Sequence, residues 1–107
     1  MTSDPLRREY EARVMALRRW ADAMRQDGLP PEAIARMLHA ERRRLCEVFK
    51  ERTQEPQRTR ILQRTRAVYG DPFGPSLEYL RARGKNWDEI IEFASRPGGP
   101  PADICDA

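Results

Sequence analysis

Eight residues past the middle of the chain, Tyr69-Gly70-Asp71-Pro72-Phe73-Gly74-Pro75-Ser76, cannot continue a helix. The two prolines lack a backbone N–H, and the two glycines weaken helical order. Before this elbow the sequence is Arg-rich and helical in its pattern. After it the segments are shorter and more acidic. The elbow is therefore expected to set two helical arms against each other.

The other prolines punctuate in the same way, since none of the nine interrupts an apolar period. Asp4 is a suitable N-cap, with Pro5 at the first helical position. Leu6, Tyr10, Val14, Leu17, Ala21 and Met24 then recur at helical spacing, flanked by Met15 and Trp20, which are expected to widen the buried face. Gly28 marks the end of this helix. Pro31-Glu32 opens a second, with Ile34, Leu38, Leu45, Val48 and Phe49 as its stripe, Met37 beside it, and Arg36, Arg42, Arg43 and Arg44 on the opposite face. A connection this short predicts an antiparallel hairpin of about 5–27 and 31–52. A third helix follows Pro56 and runs to Tyr69, with Ile61, Leu62, Val68 and Tyr69 able to face the core. Beyond the elbow, 75–81 reads as a two-turn helix ended by Gly84. Asn86 and Glu89 then form a capping-box pair ahead of Ile90, Ile91, Phe93 and Ala94. No alternating strand pattern occurs. The predicted fold is all-α: a compact bundle of about five helices, in which a long N-terminal hairpin is followed by short C-terminal helices. It spans a single domain, 1–96, with a disordered Pro/Gly-rich tail, 97–107.

A chain of 107 residues with 39% apolar residues supports one modest core. Net charge is +3, but its distribution is uneven: residues 1–69 carry +6 and residues 70–107 carry −3. Eighteen of the twenty basic residues are arginine, leaving only Lys50 and Lys85. Guanidinium forks suit phosphate or carboxylate partners, although a GC-rich genome produces the same bias. Arg58, Arg60, Arg64 and Arg66 lie in a window without any acid. With Arg36, Arg42 and Arg43 they make up the candidate polyanion-binding set. Glu41, Glu47, Glu51 and Glu55 interleave on the second helix and its exit, so an ordinary solvated face stays open as the alternative. Cys46 and Cys105 make no disulfide framework, which points to a reduced, cytoplasmic setting. No membrane segment or leader pattern is evident.

Known chemical signatures are missing. There is no phosphate-binding glycine loop, no paired CxxC, no HExxH and no metal-ligand spacing, so no metal site is expected and no cofactor is specified. Carboxylate–Mg²⁺ chemistry stays open. His39, the only imidazole, shares a helix side with Arg36, Arg43 and Cys46. It reads either as a general acid or base beside phosphate-binding arginines or as a surface histidine. Asp71, between Gly70 and Gly74, either presents a carboxylate to a ligand or makes a turn while Gly70 caps the third helix and Phe73 plugs the core.

The elbow, followed by Leu77-Glu78-Tyr79-Leu80, Gly84-Lys85-Asn86-Trp87, Ile90-Ile91 and Ser95-Arg96-Pro97-Gly98-Gly99, resembles a C-terminal module of bacterial polymorphic toxins, the variable tips of Rhs-type effectors. Leu29-Pro30-Pro31-Glu32-Ala33-Ile34-Ala35, His39 and Arg42-Arg43 extend the resemblance over about residues 29–99. An Arg-Asn pair is expected in such tips where this chain has Arg42-Arg43. The resemblance implies a toxic domain that acts on nucleic acid inside a bacterial cell and is neutralised by an acidic immunity protein. It marks His39, Asp71 and Tyr69 as catalytic candidates, beside Arg42 and Arg43. The residues alone leave two other classes open: a helical adaptor whose basic face docks an acidic protein, and an immunity-type protein.

Overall fold

The computed structural model describes residues 5–96, and over these the chain is all helix and turn. The expected Asp4 cap, Cys105 and the 97–107 tail lie outside the described residues. Five helices follow in order: α1 (Pro5–Gln26), α2 (Pro31–Arg52), α3 (Gln57–Tyr69), α4 (Leu77–Ala82) and α5 (Trp87–Ala94).

The hairpin forms as the spacing predicts. Tyr10, Val14, Leu17, Ala21 and Met24 are the buried stripe of α1. Gly28 then takes a left-handed conformation (φ +86°). Its N–H reaches the Arg25 carbonyl at 3.0 Å, and the Leu29 N–H reaches the Met24 carbonyl at 3.1 Å. This double closure satisfies carbonyls that the helix end would otherwise orphan. Pro31 restarts the chain at the first turn of α2, where its missing N–H costs nothing. Tyr10 meets Phe49 edge to face at 5.3 Å, and Arg52 closes the open end of the hairpin on Glu9 with two 2.9 Å hydrogen bonds.

The third wall of the core is α5 rather than α3. Ile90, Ile91 and Ala94 pack with the hairpin stripes and with Leu80 of α4 into one cluster. Arg18 and Arg25 of α1 reach Glu92 and Asp88 of α5 at 3.7 and 3.6 Å. The capping box is present: the Glu89 N–H donates to Asn86 Oδ1 at 2.8 Å, and the Asn86 N–H donates to Glu89 Oε1 at 2.9 Å. By contrast α3 buries only Ile61 and Thr65. It packs mainly on α2, and Ile61 is not part of the central cluster.

Several side chains expected inside are outside. Trp20 is 39% exposed, and Met15, Met37 and Val48 are comparable. A residue turns about 100° from its neighbour on a helix, so Val48, one place before the buried Phe49, points past the seam that α1 covers. Val68 is 55% exposed because α3 has a neighbour on one narrow stripe only.

Arg42 departs in the opposite direction. Expected on the basic outer face, it is 5% exposed. Its Nε donates to Tyr10 Oη at 2.8 Å. One terminal nitrogen donates to the carbonyls of Phe93, Ala94 and Arg96 at 3.1, 2.9 and 2.8 Å. The guanidinium thus caps the C-terminus of α5, where carbonyls lack helical partners and the helix dipole is negative. Arg42→Met should cost about 2–4 kcal/mol in urea unfolding, because several buried acceptors lose their donor at once. Arg60→Ala, on the surface, should stay within about 0.5 kcal/mol. An unchanged midpoint for the Met variant would refute the capping role.

Candidate functional site: the elbow and the arginine faces

The elbow is clamped to one side of α2. Gly70 ends α3 in a left-handed turn (φ +74°), and Asp71 Oδ1 accepts from the Phe73 N–H at 2.8 Å. Phe73 then packs against the core. From α2, Arg43 grips both Asp71 oxygens at 3.1 and 3.0 Å and the Gly74 carbonyl at 3.2 Å. One turn earlier, His39 Nε2 lies 2.9 Å from the Pro75 carbonyl. A carbonyl only accepts, so Nε2 carries the proton and Nδ1 is the basic nitrogen of the neutral ring. Ser76 Oγ caps α4 by accepting from the Tyr79 N–H at 3.0 Å.

This accounts for two of the three catalytic candidates. His39 is buried and Asp71 half-buried, and each is tied by hydrogen bonds that hold the elbow in place. Both border the same joint, where His39, Ala40, Arg43, Arg44, Glu47 and Phe73 line an open cleft of about 360 Å³. Tyr69 is not gathered there by any of these bonds. Its ring packs edge to face on Tyr79 at 5.6 Å. Among the described residues, no group of three or more His, Cys, Asp or Glu side chains is placed to hold a metal ion.

Burial pushes the His39 pKa below 6.5; the Pro75 hydrogen bond opposes this, and the Arg43 field adds to it. For Asp71, burial pulls upward, but the Phe73 N–H, the Arg43 hydrogen bonds and the fields of Arg43 and Arg66 outweigh it, so its carboxyl sits below the usual value. Further along the same side of α2, Lys50 is 1% exposed, and its ammonium has no hydrogen-bond partner among the described residues.

Four of the seven candidate polyanion contacts are already engaged. Arg36 pairs with Glu32 at 2.9 Å, Arg43 with Asp71 at 3.0 Å, and Arg58 with Glu55 at 3.1 Å. Arg42 is internal. Arg44, outside that set, is paired on the surface with Glu41. The other three of the seven, Arg60, Arg64 and Arg66, are all exposed on α3, and Arg66 contributes to the field at Asp71. Arg60 and Arg64 border a shallow groove with Gln57 and Ile61. No carboxylate occurs between Glu55 and Asp71.

A second basic surface escaped the sequence reading. Arg81 lies over the Trp87 ring at 4.1 Å, with Arg36 on the same ring at 5.2 Å. Arg83 lies over Tyr79 at 4.7 Å. The available signal was a second acid-free window, residues 79–87, holding Arg81, Arg83 and Lys85 beside Trp87. Comparison of the chain with protein-family models, curated proteins and solved structures finds no match.

The neutral His39 has a definite pH signature. A folded-state pKa below the unfolded value means the unfolded chain takes up the proton first as pH falls. Stability that is present above about pH 6.5 is therefore lost progressively below it. Urea midpoints should fall between pH 7 and pH 5, and His39→Gln should flatten that slope. Asp71→Ala, which frees Arg43 and the Phe73 N–H in a half-exposed setting, should cost about 1–2 kcal/mol at neutral pH.

Proposed function

We propose that this chain is a small nucleic-acid-contacting domain of the bacterial effector kind that its elbow resembles, with α3 as its electrostatic face. One observation carries the reading. A thirteen-residue helix bears four arginines and no carboxylate, and only Ile61 and Thr65 are buried. Tracking a phosphate backbone needs cations in a row with little else, and each contact releases condensed counterions. Protein interfaces instead centre on apolar and aromatic anchors. Among the described residues of α3, Val68 is the one large exposed hydrophobe. An acidic immunity protein of the kind the resemblance implies would compete for this face, and its association would be fast and salt-sensitive.

His39 and Asp71 then serve the binding surface from behind. They fix the elbow that follows α3, and so hold the C-terminal end of that helix at one place on α2.

Gel-shift titrations with generic single strands and duplexes should give micromolar binding that weakens with salt. The logarithmic slope should be about −2 to −4, according to how many arginines engage. Arg60→Gln/Arg64→Gln/Arg66→Gln should abolish the shift while leaving the circular dichroism spectrum intact. Expression of the natural sequence in bacteria should arrest growth, and the triple variant should relieve the arrest. Harmless expression, no nucleic-acid shift and salt-sensitive capture of an acidic protein would instead establish the adaptor reading.

A further inference from the structure

We propose that Arg81 and Arg83, stacked on Trp87 and Tyr79, form a base-stacking surface that makes the domain select single-stranded nucleic acid over duplex. The inference rests on the nucleic-acid reading above and adds to it a substrate class and a second contact.

The two stacks share a layout. Arg81 sits 4.1 Å from the Trp87 ring centre and Arg83 sits 4.7 Å from that of Tyr79. A guanidinium centred over an aromatic ring leaves its far side and N–H edges toward solvent, and both arginines are exposed. The free face can take a nucleobase and the edges a phosphate. The ring also restrains a long side chain before any ligand arrives, so less rotamer entropy is lost on binding. Arg36 braces the same indole at 5.2 Å, itself held by Glu32. Tyr79 is in turn fixed edge to face by Tyr69, the last residue of α3. That contact links the Arg83–Tyr79 pair to the helix proposed to track the backbone.

Charge supports this use of the surface. Neither Arg81 nor Arg83 has an ion pair among the described residues; Arg81 donates instead to the Lys85 carbonyl at 3.1 Å. The nearby acids are occupied elsewhere: Asp88 faces Arg25 at 3.6 Å, and Glu89 is bound into the cap of α5. Glu78, exposed at the start of α4, is the remaining opposing charge. Stacking needs bases that are not already stacked in a helix. Single strands offer them and duplexes do not.

Anisotropy titrations of the full chain with labelled twelve-nucleotide single strands of DNA and of RNA, and with a twelve-base-pair duplex, test the idea. The Arg81→Gln/Arg83→Gln variant should lose ~10-fold in affinity for single strands and only about 2–3-fold for duplex, since a base stack is worth more than one screened charge. Trp87→Phe should keep most of the preference, whereas Trp87→Leu should lose it. Should either tryptophan variant unfold, the arginine pair alone decides the question. Equal losses on single strand and duplex would reduce these arginines to plain charge and overturn the stacking claim while leaving the α3 reading intact. Unchanged single-strand affinity would do the same. Failure of the natural sequence to bind either form would overturn both.

Discussion

The guanidinium of Arg42 holds the architecture together. It touches three helices at once: it springs from α2, donates to the phenol of Tyr10 on α1, and gathers the last carbonyls of α5. An eight-residue helix has few internal hydrogen bonds relative to its ends, so it is stable mainly through packing and caps. Here the N-terminus is closed by Asn86 and Glu89, and the C-terminus by an arginine from another helix. Carbonyl dipoles, a phenol oxygen and the face of the Tyr10 ring surround the charge. Such an arrangement orients its neighbours closely, because a planar five-donor group accepts few alternative geometries.

The same logic decides which arginines can meet a partner. Arg7, Arg25, Arg36, Arg44 and Arg58 each fold back on an acid three or four residues away. Exposed pairs of this kind add little stability, but they reduce the net field of the surface. Where carboxylates are missing, in residues 56–70 and again in 79–87, Arg60, Arg64, Arg66 and Arg83 have no acid three or four residues away along the chain. One of these windows is helix, and the other runs from α4 through a turn to the start of α5. The first keeps its charges in a row, and the second lays them over aromatic rings.

Most of the fold could be read from spacing. Proline and glycine placement located all five helices, and the Asn86–Glu89 cap and the Gly70 stop are where local chemistry put them. What could not be read was which neighbour each helix would have. Helical periodicity shows that α2 has a buried side, but not that α5 would extend this side as far as Arg42. It also could not show that α3 would cover too little to bury Val68. Trp20 and Val48 lie at the edges of their stripes, where a shift of one residue separates core from surface. At the elbow, His39 and Asp71 were recognisable as unusual residues in an unusual place. Their partners, Pro75 and Arg43, are 36 and 28 residues distant in the chain, and only the folded backbone brings them together. The Trp87 stack went unnoticed for a simpler reason: Trp87 sits in a capping sequence, and that local role explained it.

The shallow seat of α3 sets how stability is distributed along the chain. Lifting this helix uncovers Ile61 and Thr65 but leaves the Tyr10–Phe49 contact, the Arg42 cap and the α5 stripe intact. Lys50, whose Nζ has no hydrogen-bond partner among the described residues, lies on the side of α2 that also carries the elbow clamp. Amide exchange along 57–69 should therefore report a local opening, while the amides of α1, α2 and α5 open together with the whole molecule.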